Sequence, residues 1–549
     1  MHKFDDATPE IRWAVDSFHI SDRVLFSYGW MLCGDDLVKE LQMEITYVDG
    51  GIEVLSAETG LDRPDVVEKM PTVPRNSGFL FYSSIAGRPI DSVRLVVETP
   101  EGGMRIARKL DSIINGLAGG GGRVSAAHLA HTLARKTWYH LRRLEFGVIL
   151  TKIKRVLPSL WTVRAEKDQV MSLLEGCAPN AALIIDHRLG GGANMFRERL
   201  IERLTGEGRT VVLLTFEPPS LRHHLDVHYP DGRSLNRCVE QNIWFALAAS
   251  RCFSEVYFNN CVSFPSPESI PEMLVHLVKV AGTRLTVFLH DYYTVCPSHF
   301  LLNEHGVYCG LPKVEKCREC LPRIRDGLVN LYRSRDIDDW RRRWLDCLKV
   351  AHDVVCFSPS GRDILLSAYP ELADRSIEIR PHVIEEHMQG GFAFPAGEGP
   401  LRIAVVGSIN THKGSQIVLD LAGRIAERGE AARICVIGTL VKSETPVALE
   451  ETGPYKREDL PAIIRERGIH LALMPSILPE TFSFVTHELI AMGVPVVTFD
   501  MGAQAEAARR AANCRVVPML ATDALLDQIL EFGQQLRQQH LAAEHQTNS

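Results

Sequence analysis

No run of about 18 consecutive apolar residues occurs anywhere in these 549 residues, so no helix is expected to span a bilayer. The opening MHKFDDATPEIRW lacks the apolar core of a secretory signal. Neither sign of charge dominates: 61 Lys and Arg stand against 68 Asp and Glu, a formal net charge of −7. No global field draws such a chain to nucleic acid, and no nucleic-acid partner is expected. The 13 cysteines are odd in number and scattered, which argues against a disulfide framework. These absences read as a soluble, cytoplasmic protein. What is present is ordinary globular composition, 45% hydrophobic and 23% charged, over a length that suggests about three or four domains.

Residues 1–115 carry short alternating segments, Glu44–Val48, Gly78–Tyr82 and Ser92–Val97, parted by turn residues. That spacing predicts a small β-sandwich. Trp30 within it is read as core, because a strand aromatic usually serves packing. A glycine-rich break, Gly119–Gly122, falls in a helical basic linker expected over 116–179. Between Arg135 and Arg164 it holds eight basic residues against the single Glu145, interleaved with Leu141, Leu144, Val148, Ile149 and Ile153. Such a helix either lies on an anionic membrane surface or buries its apolar stripe against its own protein.

From residue 180 strand and helix patterns alternate. Buried strands are predicted at Ala181–Asp186, Thr210–Phe216, Glu255–Phe258, Leu285–His290 and Val354–Ser358. A second set follows at Ile403–Gly407, Ile434–Gly438, Leu471–Met474, Val494–Phe499 and Arg515–Pro518. The fold class is therefore α/β, with two Rossmann-like parallel-sheet domains over 180–395 and 396–540. Residues 381–400 read as the hinge and 541–549 as a disordered tail.

The most informative stretch is Met474–Glu506, MPSILPETFSFVTHELIAMGVPVVTFDMGAQAE. Glu480 and Glu488 lie eight residues apart across the start of a predicted helix, just after one strand and before another. In a doubly wound sheet, ligands bind at the carboxyl ends of the strands. The amides of Thr481, Phe482, Ser483 and Phe484 would sit there as donors for phosphate oxygens. Two carboxylates flanking them could hold hydroxyls on either side of a diphosphate, which fits a nucleoside diphosphate sugar.

This stretch, with its Pro475-Ser476 lead-in and the strand Gly493-Val494-Pro495-Val496-Val497, resembles the signature of family-4 retaining glycosyltransferases. The resemblance implies a GT-B fold, two Rossmann-like domains facing a cleft. It implies that Glu480 faces the donor sugar and that Glu488 binds the ribose. Tyr28-Gly29-Trp30, Arg63-Pro64-Asp65-Val66 and Asn76-Ser77-Gly78-Phe79 look like an accessory β-domain found fused to bacterial members.

Further segments fit the same family. Asp186-His187-Arg188-Leu189-Gly190-Gly191-Gly192-Ala193-Asn194 resembles its first glycine-rich loop, which would bring Gly191, Gly192 and Asn194 to the donor; a plain flexible turn is the alternative. His290-Asp291-Tyr292-Tyr293 looks like its histidine loop, lining the donor sugar, unless the imidazole merely bonds backbone. Val406-Gly407-Ser408-Ile409-Asn410-Thr411-His412-Lys413-Gly414 is similar to its phosphate-contacting segment, with Lys413 as the point charge. Ser408 stands where the family pattern has arginine.

Cys296, Cys309, Cys317 and Cys320 are of a type and number that suits a structural zinc; reduced buried thiols or a reversible disulfide are the alternatives. No cofactor is required for catalysis in this reading. The expected activity is retaining transfer of a sugar from a nucleoside diphosphate sugar to a glycan or lipid-linked glycan. The expected setting is surface polysaccharide or lipopolysaccharide assembly in the cytoplasm, peripheral to the inner membrane. The rival is a non-catalytic nucleotide-sugar-binding or scaffold subunit.

Overall fold

The computed structural model describes residues 11–98, 104–109, 174, 177 and 180–547, apart from positions 22, 35, 39, 240–242, 326, 398 and 442–447. The glycine-rich break and the basic run 135–164 lie outside the described residues. Contacts divide the chain into two compact units, Met1–Thr286 with Arg325–Arg335, and Val287–Ile324 with Asp336–Ser549. The division falls within the strand Arg284–Leu289.

The first unit opens with two antiparallel sheets. One runs in the order Ile11–Ile20, Val24–Cys33, Gly78–Ser84, Glu58–Leu61, and the other Ile52–Ser56, Leu41–Tyr47, Ile90–Glu98, Met104–Lys109. Alternation along Leu41–Tyr47 sends Leu41, Met43, Ile45 and Tyr47 inward, where they meet Met31, Phe79 and Phe81 of the other sheet. Two inner faces closing on one apolar core make the expected sandwich. Trp30 is core, packed with Leu32, Val66 and Val73.

The rest of this unit builds on Ala181–Ile185, which pairs in parallel with Val211–Glu217 and with Phe253–Phe258. All five residues of that central strand are buried, as a parallel strand covered on both faces requires. An antiparallel pair, Arg222–His228 and Ser234–Val239, extends the sheet beyond Val211–Glu217. This pair was not anticipated, because its sequences, RHHLDVH and SLNRCV, are polar on alternate positions and carry little apolar signal.

In the second unit, six strands form one sheet in the order Leu449–Glu451, Ala432–Leu440, Leu401–Ile409, Leu471–Met474, Val496–Phe499, Arg515–Val517. Every neighbouring pair is parallel. Numbered along the chain the order is 3-2-1-4-5-6, the doubly wound arrangement, which reverses between Leu401–Ile409 and Leu471–Met474. One face of the sheet is covered by Val418, Leu421, Ala422 and Ile425 of the helix Ser415–Arg428, with Leu525, Leu526 and Ile529 of the last helix. The other face packs on Leu460, Ile464, Leu489 and Met492. Spacings of three and four residues produce each of these stripes.

The chain thus has the expected α/β class, with two Rossmann-like parallel sheets after a β-rich region. The last helix, Thr522–Thr547, runs on through most of the stretch read as a disordered tail. Among the described residues no helix is long and apolar enough to cross a membrane.

Candidate active site

The strand Leu401–Ile409 ends at Asn410, whose side chain accepts a hydrogen bond from the Lys413 amide at 3.1 Å and caps a single turn, Thr411–Lys413. Gly414 follows with φ at +82°, and a Cβ there would lie 2.2 Å from the Pro475 carbonyl oxygen. Only glycine lets this loop close against the segment that leaves Leu471–Met474. The closure brings Lys413 Nζ to 2.6 Å from Glu480 Oε1. The pair therefore sits at the reversal of strand order, where open α/β sheets bind their ligands.

The backbone of Glu480 is clamped from a third segment. Its amide donates to Gln504 Oε1 at 3.0 Å, and its carbonyl accepts from the Ala503 amide at 2.9 Å. Gln504 is fully buried and donates from Nε2 to the Leu478 carbonyl at 2.8 Å. A Cβ on Gly502 would stand 2.6 Å from the Glu480 nitrogen, so the helix Gly502–Arg509 approaches as closely as backbone allows. Burial pushes the Glu480 carboxyl upward, but the Lys413 ammonium and hydrogen bonds hold it below the usual carboxylate range. It is a largely buried anion, 11% exposed, kept charged chiefly by Lys413.

Thr481 Oγ1 donates to the His290 carbonyl at 2.8 Å, which ties the histidine loop to this turn. Ser483 is buried in a left-handed conformation, φ +62°, with its hydroxyl 2.7 Å from that of Thr486. A non-glycine residue held there at the start of the helix Phe484–Met492 stores strain of the kind concentrated at functional sites. Phe482 stacks on His487 with centroids 4.0 Å apart.

A row of rings links the remaining candidates. Phe357 stacks on His290 at 4.5 Å and on His382 at 4.1 Å, and His382 stacks on Phe484 at 4.7 Å with the edge of Phe482 at 4.8 Å. Lys413, Glu480, Thr481, His290, Phe482 and Phe484 are thus brought together. His382 and Phe357, which bridge them, were missed. Phe357 lay at the end of a predicted strand, the position that could have flagged it, whereas His382 lay in the stretch read as hinge.

Glu488 departs from the simple picture. Its side chain is 3% exposed and ion-paired with Arg457, whose Nη1 also reaches Glu385 Oε1 at 3.1 Å. Burial raises the Glu488 carboxyl above its usual range, with Arg457 opposing. A ribose hydroxyl would have to share this carboxylate with Arg457. Arg457 was also missed, being one member of the charged run Lys456–Asp459. Ser408 is exposed, its hydroxyl 3.3 Å from that of Thr439.

Gly191, Gly192 and Asn194 belong to the first unit. Gly190 and Gly191 have φ of +85° and +84°. Asn194 Oδ1 accepts from the Gly190 amide at 2.7 Å, while its Nδ2 donates to Asp186 Oδ2 and to the His187 carbonyl, both at 2.9 Å. The Asn194 amide therefore holds the loop's shape. Buried Asp186 anchors it together with Arg197, 3.1 Å away.

Cys296, Cys309, Cys317 and Cys320 are free thiols. Burial pushes Cys296 and Cys320 up to about 12. Among the described residues no group of three or more His, Cys, Asp or Glu is arranged to hold a metal ion. Zinc on these four residues would require the sulfurs to converge further, and a metal-to-protein ratio measured on unchelated protein tests it.

The Lys413–Glu480 pair thus stands in the switch-point crevice of a doubly wound sheet. Residues 400–535 match the family model described as glycosyl transferases group 1. No curated protein sequence matches the chain. Among solved structures, sucrose-phosphate synthase from Thermosynechococcus elongatus is similar at 14% identity and TM-score 0.43, covering 66% of this chain and 94% of that one. HepE from Anabaena, solved with UDP and glucose, shows 13% identity and TM-score 0.39 over 64% of this chain and 89% of its own. The pneumococcal O-GlcNAc transferase GtfA, with UDP and GlcNAc, shows 12% and 0.35 over 59% and 58%.

Proposed function

We propose that this chain is a retaining glycosyltransferase of the GT-B type. It moves a sugar from a nucleoside diphosphate sugar to a glycan or lipid-linked glycan in surface polysaccharide biosynthesis. The observation that carries the reading is the Lys413–Glu480 pair at the strand-order reversal of a group 1 glycosyltransferase domain. As the sugar–phosphate bond breaks, negative charge grows on the departing diphosphate. Lys413 Nζ supplies a fixed positive charge there, and the amides of the Thr481–Phe484 turn add donors already oriented by the Ser483 conformation. Glu480 releases Lys413 to the phosphate and accepts hydrogen bonds from the sugar hydroxyls. His290, held in the ring stack, offers an imidazole to the same sugar.

Purified protein is to be screened by thermal shift against UDP-, GDP-, ADP- and dTDP-sugars. A ligand at about 100 times its dissociation constant stabilises its domain by about 2.7 kcal/mol. A shift with one nucleotide that Lys413→Ala abolishes, with sugar transferred to an acceptor pool, supports the reading. Binding without transfer favours the non-catalytic nucleotide-sugar-binding alternative, and no shift with any nucleotide overturns the transferase reading in favour of a scaffold subunit.

A further inference from the structure

Away from Lys413 and Glu480, the edge of the first unit's sheet gathers three reactive side chains. Strand register sets Thr215, His224 and Cys238 side by side across Val211–Glu217, Arg222–His228 and Ser234–Val239. Cys238 Sγ lies 3.6 Å from His224 Nδ1 and 3.8 Å from its Nε2, and Nε2 lies 3.4 Å from Glu217 Oε2. Glu217 is itself oriented by the Ser220 hydroxyl at 2.6 Å. The thiol therefore lies against the imidazole within reach of both nitrogens, and the carboxylate holds Nε2, so a charged imidazole beside the sulfur favours the nucleophilic thiolate.

The surrounding charges agree with that geometry. The His224 hydrogen bond leads in holding the Cys238 thiol below its usual range; burial and Glu217 oppose it, and Arg222 assists. Burial opposes the charged form of His224, yet its bonds to Cys238 and Glu217 bring it up to about 9, against Arg188 on the same face. Arg188 is itself turned aside by the Thr215 hydroxyl at 2.8 Å and by Asp226. Glu217 is held down at about 2, chiefly by His224. Cys238 is only half-buried and lies on the outermost strand of the sheet.

We infer that Cys238, His224 and Glu217 form a thiol reaction centre whose substrate is a hydroperoxide. The thiolate sulfur attacks the terminal peroxide oxygen, an S–O bond forms and the O–O bond breaks. Sulfur is oxidised by two electrons to the sulfenic acid, and the peroxide is reduced to the alcohol, or to water for hydrogen peroxide. The leaving oxygen takes the imidazolium proton of His224. A thiolate beside a proton donor favours this substrate, since both the attack and the departure are served. The centre stands independently of the glycosyl-transfer reading.

The test uses the full chain treated with hydrogen peroxide and a sulfenate-trapping 1,3-dione, followed by peptide mass spectrometry, with iodoacetamide labelling from pH 6 to 9 in parallel. Cys238 is expected to be trapped first among the 13 cysteines. An ordinary thiol is about 1% ionised at pH 6.5. Allowing for the lower nucleophilicity of an acidic thiol, His224→Asn should slow Cys238 labelling at that pH about tenfold. Glu217→Gln should slow it less. Oxidation of Cys238 no faster than the other thiols, or unchanged labelling in a folded His224→Asn protein, overturns the proposal. If His224→Asn does not fold, the wild-type profile decides. Labelling that falls about tenfold per pH unit from 8 to 6 is ordinary thiol behaviour and also overturns it.

Discussion

Lys413 and Glu480, 67 positions apart in the chain, meet at 2.6 Å because Gly414 lets one loop rest on the backbone of the other. That closure sets the position of the ammonium that the proposed chemistry needs.

Replacing Lys413 by Ala or Met is expected to lower transfer by about 10²–10³-fold, the scale on which a preorganised charge at a transition state acts. The Glu480 side chain is only 11% exposed, so losing its cation also destabilises the fold and the melting temperature should fall. Steady-state kinetics beside thermal melting separate the two effects.

The Gly414 closure can be broken by one methyl group. Gly414→Ala introduces a Cβ 2.2 Å from the Pro475 oxygen at φ +82°. It is expected to cost about 2 kcal/mol or more and to abolish activity with it. Gly390 has φ +71° and nothing within 4 Å of its added Cβ. Gly390→Ala should therefore show only the backbone strain, about 1 kcal/mol. Urea denaturation of the two variants gives the comparison, and equal costs would contradict the packing account.

Arg457 supports Glu488 in a site that is nearly dry, with the carboxylate 3% exposed. Arg457→Met leaves that carboxylate without its cation and should destabilise the protein by about 3 kcal/mol. The double variant Arg457→Met, Glu488→Met should recover much of the loss. Because Glu488 is the proposed ribose contact, its release should also raise KM for the donor more than it lowers kcat.

The pH dependence of stability carries the signature of Glu480. Its folded value is depressed, so its contribution is fully present above the unfolded value, about 4.3. The contribution is lost as pH falls through the folded value. Melting temperature measured from pH 7 to pH 3 should fall more steeply for wild type than for Glu480→Gln. Glu488 has a raised value and the opposite sign, its contribution being present below the unfolded value and lost as pH rises through the folded one. Glu488→Gln should therefore flatten the profile on that side.

Gln504 is a buried clamp with both amide atoms in use, on the Glu480 amide and the Leu478 carbonyl. Gln504→Ala orphans two buried backbone groups at about 1–3 kcal/mol. It should lower kcat more than it raises KM, since it loosens the position of Glu480 rather than removing a contact to the donor.

The buried strands of both sheets were legible because a strand covered on both faces is a short apolar run with little polar interruption, whereas the two- and three-residue strands Glu378–Ile379 and Leu449–Glu451 were not read. Leu471–Met474 was read to the residue, and the others to within about two or three. The hairpin Arg222–Val239 was not legible, since an edge pair needs no such run. The place of Glu480 between a strand and a helix was legible, and Lys413 and His290 were singled out by the resemblance of their loops to those of the family. Arg457, His382 and Gln504 were not, because a charged run, a hinge histidine and a helix glutamine have no meaning until neighbours are known.

The sequence by itself determined the buried strands, the turns that follow them, and therefore which side chains could stand at a sheet's carboxyl edge. These are local consequences of apolar periodicity and of glycine's access to positive φ. Only the tertiary structure decided that the strand order reverses between Leu401–Ile409 and Leu471–Met474, and so which loops share a crevice. It also decided that Glu480 is held by Lys413 while Glu488 is held by Arg457. Burial and charge pairing depend on contacts between residues far apart in the chain, and no local pattern encodes them.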